Sequence, residues 1–172
     1  MGSYLPLLRR HGRDILASPG LRSQRGHLQH GRVSVLEHEV AVALMCLKLS
    51  RGLRLRVDER ALVRGALLHD YFLYDWHEKD ASHKWHGFTH PARALRNADR
   101  DFALGDIERD MIACHMFPLV PRLPRRRESL LLCVADKLCA LRETLRLPKR
   151  RKRGPGPAKS PPGAEITPLS KK

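Results

Sequence analysis

Aromatic residues are scarce: two Trp, three Tyr and four Phe make up 5% of the 172 residues. A core built from this chain must rest on Leu, Val and Ala. Alternating strand formers are also scarce, while Leu, Ala, Arg and Glu dominate. That argues against a sheet-dominated fold and predicts an all-α domain. No apolar run approaches the ~20 residues needed to span a bilayer. The N-terminal apolar piece, Tyr4 to Leu8, is too short for a signal peptide and is followed by Arg9 and Arg10. The expectation is a cytoplasmic protein without membrane association. Cys46, Cys114, Cys133 and Cys139 form no CxxC pair and all fall in apolar helical runs. They read as buried small hydrophobes in a reducing compartment. There is no GxGxxG and no Walker A sequence, so neither common phosphate-cradling glycine loop is present.

Acidic residues are outnumbered, 18 against 33 Lys and Arg, for a formal charge of +15. The excess is uneven: from Lys149 onward the balance is +7, and the preceding 148 residues carry +8. Residues 148–172 are rich in Gly, Pro, Lys and Ser and cannot bury enough surface to fold, so a disordered basic tail is expected. It suits electrostatic contact with nucleic acid or improved solubility. The length fits one domain with a sizeable core. The expected plan is an N-terminal segment over 1–27, a helical domain over 28–147 and the tail.

Ionisable residues fall where apolar ones are expected. Ser34 and Glu37 have capping-box spacing and predict a helix to about Leu49. Val35, His38, Val42, Met45 and Cys46 share one of its faces. Asp58 caps the next helix, whose apolar side carries Ala61, Leu62, Ala66 and then His69, with Asp70 following. Adjacent helical positions diverge by ~100°, so His69 and Asp70 can serve one centre only near a helix end or bend. The densest aromatic cluster follows, Tyr71-Phe72-Leu73-Tyr74-Asp75-Trp76. It reads as core packing, or as a wall of a site. The stretch 77–90 reads as a histidine-rich loop, with His90-Pro91 as N-cap and first residue of a helix. Spacing alone leaves open whether His86 or His90 points inward. Ile107, Met111, Ile112 and His115 line a face of another helix, ended by Pro118. On the last helix, from about Arg125 to Leu145, Asp136 lies among Leu132, Cys133, Cys139 and Ala140. A carboxylate on an apolar face needs a cation or several donors, supplied by a neighbouring Arg or by a metal.

The ordered series His38, His69-Asp70, His90, His115, Asp136 resembles that of the HD superfamily of metal-dependent phosphohydrolases, and most closely its small bacterial members. The segment Leu62 to His77, the run His86-Gly87-Phe88-Thr89-His90-Pro91 and Val134-Ala135-Asp136-Lys137 carry the resemblance, which covers roughly residues 28 to 145. It implies an HD-domain helical bundle. It implies that His38, His69, Asp70 and Asp136 form the mononuclear ligand set, and that His90 and His115 match the two further histidines of dinuclear members. Two divalent ions (Fe, Mn, Zn, Ni or Mg) would then activate a water for hydrolysis of a phosphoester or phosphoanhydride, with a nucleotide as the expected substrate and Asp70 as the bridging, catalytic carboxylate. Dinuclear members often continue the doublet with a small residue, Gly and Lys; Tyr71-Phe72-Leu73 stands there in this chain. Lys84, His86, Arg93 and Lys137 are the candidate substrate contacts. The competing class is a non-catalytic nucleotide- or nucleic-acid-binding module with a structural metal. A six-ligand set argues against it, because a structural site typically closes with about four. An oxygen-using di-iron enzyme on the same scaffold is a third reading.

Overall fold

The computed structural model of the chain describes residues 4–30, 32–75 and 85–145. Trp76, His77, His83, Lys84 and the basic tail lie outside the described residues.

Seven α-helices and one small antiparallel hairpin make up the described residues. Helix α1 (Leu5–Ala17) opens the chain and buries Leu8, Gly12 and Ile15. Ser18 turns the chain, and its side chain accepts from the Leu21 amide to cap the short α2 (Pro19–Ser23). A 3-10 turn (Gln24–Gly26) leads into β1 (Leu28–His30), which pairs with β2 (Val33–Ser34). The expected capping box is present at the start of α3 (Val35–Gly52): the Glu37 amide donates to Ser34 Oγ and the Ser34 amide to Glu37 Oε2. Asp58 likewise caps α4 (Glu59–Leu68) by accepting from the Ala61 amide.

Helix α4 is the axis of the molecule. Every residue from Ala61 to Leu68 is buried, and α1, α3, α6 and α7 all pack on it. Two glycines let the backbones come close. A Cβ on Gly12 would collide with Leu67, and one on Gly65 would lie 2.6 Å from Met111 Sδ. The core is mainly Leu, Val, Ala and Ile, as the shortage of aromatics requires. All four cysteines are buried and free.

One helix boundary departs from expectation. Helix α5 spans His86–Asp101, so His90 and Pro91 lie inside it and not at its start. Proline removes a backbone donor. Local side-chain contacts hold the extra turn: His90 Nδ1 donates to the His86 carbonyl at 2.9 Å, and the two imidazoles stack at 4.7 Å and 21°. Trp85, at φ 63°, turns the chain into the helix. Helix α6 (Asp106–Cys114) begins with Glu108 accepting from the Gly105 amide, and α7 (Arg127–Leu145) follows an extended link. No described helix is long and apolar enough to cross a membrane.

Candidate metal centre

Five helix segments deliver six side chains to one buried region. His38 comes from the second turn of α3. His69 and Asp70 follow the last residue of α4, the helix end that an adjacent His-Asp pair requires. His90 comes from α5, His115 follows α6, and Asp136 lies mid-way along α7. The first five are buried and Asp136 nearly so. They form two triads, His38/His69/Asp136 and Asp70/His90/His115, and within each the potential ligand atoms lie within 4.8 Å of one another.

Hydrogen bonds aim the imidazoles. His69 Nδ1 reaches the Ala66 carbonyl at 2.8 Å, His90 Nδ1 the His86 carbonyl at 2.9 Å and His115 Nδ1 the Ile112 carbonyl at 2.9 Å. His38 Nδ1 meets Glu143 Oε2 at 2.9 Å. A carbonyl or carboxylate accepts only from N–H, so Nδ1 carries the proton in all four and Nε2 is left as the inward atom. Three of these bonds span one helical turn. The fourth is a carboxylate–histidine pair of the kind that orients metal-bound imidazoles.

The two triads meet at Asp70. Its Oδ1 lies 3.2 Å from His90 Nε2 and 3.4 Å from His115 Nε2, while its Oδ2 lies 3.4 Å from His69 Nε2. Gln29, from β1, donates to Oδ2 at 2.6 Å, and Gln24 donates to the Asp70 backbone carbonyl at 2.7 Å. In the first triad, Asp136 Oδ1 lies 3.0 Å from His38 Nε2 and 3.8 Å from His69 Nε2.

These groups perturb one another. Burial alone would depress His38, but Asp136 and Glu143 outweigh it and push the imidazole up to about 9. His69 is likewise raised to about 9, against burial, chiefly by Asp70. Burial opposes the charge on Asp70, yet His69, His115 and His90 hold its carboxyl well below the usual range. His38 and His69 do the same for Asp136. His115 is lowered by burial despite its contact with Asp70. Glu39, beside His38, is raised well above the usual carboxyl range, first by burial and then by Asp70.

The donor set fits divalent cations. Four imidazole nitrogens and two carboxylates suit Zn, Fe, Mn or Ni. Two buried atoms of the set, His69 Nε2 and Asp70 Oδ1, have no hydrogen-bond partner. His90 Nε2 and His115 Nε2 stand 2.8 Å apart with both Nδ1 protons already donated outward. Two facing lone pairs at that distance require a shared proton or a cation between them.

A family model described as HD domain matches residues 35–141. The chain belongs to the HD-domain family. The matched range contains all six residues of the two triads, and Glu143 lies just past its end. Neither a curated protein nor a solved structure matches the chain.

This HD domain divides the remaining sequence candidates. A cleft of about 690 Å³ opens on the centre, and Gln29, Asp70, His86, His115, Asp136 and Lys137 contribute to its polar end. Lys137 Nζ donates to the His115 carbonyl at 3.3 Å and the Cys133 carbonyl at 3.2 Å. His90, not His86, falls in the triad; His86 stacks behind it and bonds the Tyr74 hydroxyl at 2.8 Å. Arg93 lies over the Tyr74 ring at 5.1 Å and opens into a separate hollow with Phe72 and Arg96. The aromatic run both packs and walls. Tyr71 is buried and bonds Asp101, while Phe72 presents its ring edge-on to His86 and His90.

Sequence reasoning misses Glu143, Gln29 and Gln24. Glu143 has a signal: it lies seven residues after Asp136, two helical turns along the same face of α7. Gln29 and Gln24 have none, because only the folding of the hairpin and the 3-10 turn brings them to Asp70.

Proposed function

We propose that this HD domain is a metal-dependent phosphohydrolase that cleaves a phosphoester or phosphoanhydride, with a nucleotide among its substrates, at a two-ion centre. The observation that carries the reading is the meeting of two triads at one carboxylate, with His69 Nε2 and Asp70 Oδ1 buried and without a hydrogen-bond partner. His38, His69 and Asp136 would hold one ion, His90 and His115 the second, and Asp70 would serve both. Bound there, such ions lower the pKa of water and stabilise charge on phosphoryl oxygens.

The chain's own contribution is orientation. The four Nδ1–H bonds fix each imidazole so that no rotation is needed when a ligand arrives. Gln29 holds Asp70 Oδ2 and leaves Oδ1 facing His90 and His115. Lys137, tethered to two backbone carbonyls at the cleft, places a positive charge where non-scissile phosphate oxygens would sit.

Purified protein supplied with Mn or Fe should release phosphate from members of a panel of nucleotides and phosphoesters. Asp70→Ala and Asp136→Ala should each abolish that release. Turnover that survives Asp70→Ala, or a protein that retains no metal, would defeat the reading.

A further inference from the structure

Away from the two triads the cleft is lined by carbon. Gly87 at the start of α5, Met116, Pro118 and Leu119 after α6, and Ala140 on α7 form its walls. Leu119 stands at the rim, 48% exposed. Its Cδ2 lies 3.5 Å from where a Cβ on Gly87 would be, so a larger residue at 87 would narrow the opening. The polar groups are gathered at the metal end, and their donors are already engaged. Gln29 gives its Nε2 to Asp70, His86 meets the Tyr74 hydroxyl, and Lys137 donates to two carbonyls.

Among the described residues, Lys137 is the one Lys or Arg that lines this cleft. The other basic clusters face elsewhere. Arg93 and Arg96 open into the hollow beside Phe72, and Arg22, Arg25 and Arg32 into a groove by the hairpin. A polyphosphate laid along these apolar walls would lose its hydration and find, among the described residues, no cation beyond Lys137 for its successive phosphates. An apolar body in the same place gains by burial. The volume of about 690 Å³ lies within the roughly 300–1,000 Å³ usual for small-molecule sites.

We propose that the cleft is selective for an ester with a single phosphate and an apolar body. The phosphate faces the two triads and Lys137, and the body lies against Leu119, Pro118 and Ala140. Nucleoside triphosphates are disfavoured. The inference rests on the phosphohydrolase reading and narrows its substrate class.

Calorimetric titration of the full chain loaded with Mn²⁺ tests it, with metal content measured on the same samples. The probes are methylphosphonate, phenylphosphonate and a β,γ-methylene analogue of ATP. Phenylphosphonate should bind about 20-fold tighter than methylphosphonate, the ratio expected from burying about 70 Å² of apolar surface. The triphosphate analogue should bind no tighter than methylphosphonate. Leu119→Gln, at a half-exposed position, should melt like the parent protein and reduce the phenyl-to-methyl ratio several-fold. Equal affinities for the two phosphonates, tighter binding of the triphosphate analogue, or a ratio untouched by Leu119→Gln would overturn the selectivity. If metal is retained in those cases, the metal-centre reading still stands. A protein that keeps no metal and binds neither phosphonate would overturn both.

Discussion

The two triads share a carboxylate but are supported differently. In His38/His69/Asp136, one imidazole is backed by the carboxylate of Glu143, and both imidazoles are pushed up to about 9. In Asp70/His90/His115, both imidazoles are backed by carbonyls of their own helical turns, and burial lowers His115. A carboxylate behind a histidine makes it a stronger base than a carbonyl does. When no ion is bound the first triad is compensated by its raised imidazoles, while the facing nitrogens of the second, 2.8 Å apart, share a proton between them. The second also stands against the aromatic wall and the cleft, through His86, Phe72 and the first turn of α5. Both triads reach the cleft, the first through Asp136 and the second through Asp70, His90 and His115, so the contrast lies in how the imidazoles are backed.

The largest effect separating the triads is expected in the pH dependence of protein stripped of metal. His38 and His69 have folded pKa values of about 9, against an ordinary histidine value of 6.5. A pKa raised by folding adds stability that is fully present below the unfolded value. That stability is lost as pH rises through the folded one. The stripped protein should therefore lose stability between pH 6.5 and 9, by on the order of 3 kcal/mol for each of the two histidines. Metal should reverse the sign, because a bound ion replaces the protons and its affinity grows as they leave. Urea denaturation across that range, with and without Mn²⁺, reads both slopes. A flat profile in the stripped protein would remove the proton-compensated character of the first triad.

A smaller effect is expected from Glu143→Gln. The change removes the charge behind His38 but keeps its shape, and should weaken one ion by roughly 10- to 100-fold while sparing the other. Equilibrium dialysis would resolve two classes of ion moving apart. Equal weakening of both would mean that the triads are one unit.

Much of this site is legible in the amino-acid sequence. His38 and Asp136 stand out as costly groups on apolar helix faces, and His69-Asp70 as a doublet that needs a helix end; the fold places each so. The capping box at Ser34 and the cap at Asp58 follow from local chemistry, and local chemistry forms them. The start of α5 is not legible. Proline normally marks a first turn, and here a histidine pair one turn apart holds a longer helix. The choice between His86 and His90 requires that geometry. The partition into two triads also requires tertiary structure, since nothing in the order of the six residues along the chain distinguishes them. Arg93 reads as a phosphate contact on charge alone, but its position over Tyr74 serves the wall behind His86.

The proposed centre holds two ions per chain, in triads that can be emptied one at a time. Elemental analysis of purified protein, alongside His115→Ala and Asp136→Ala, tests it most directly. The expected result is two equivalents in the parent and one in each variant, with the fold retained by circular dichroism. A parent that holds one ion or none at saturating Mn²⁺, or variants that match it, would contradict the two-ion centre.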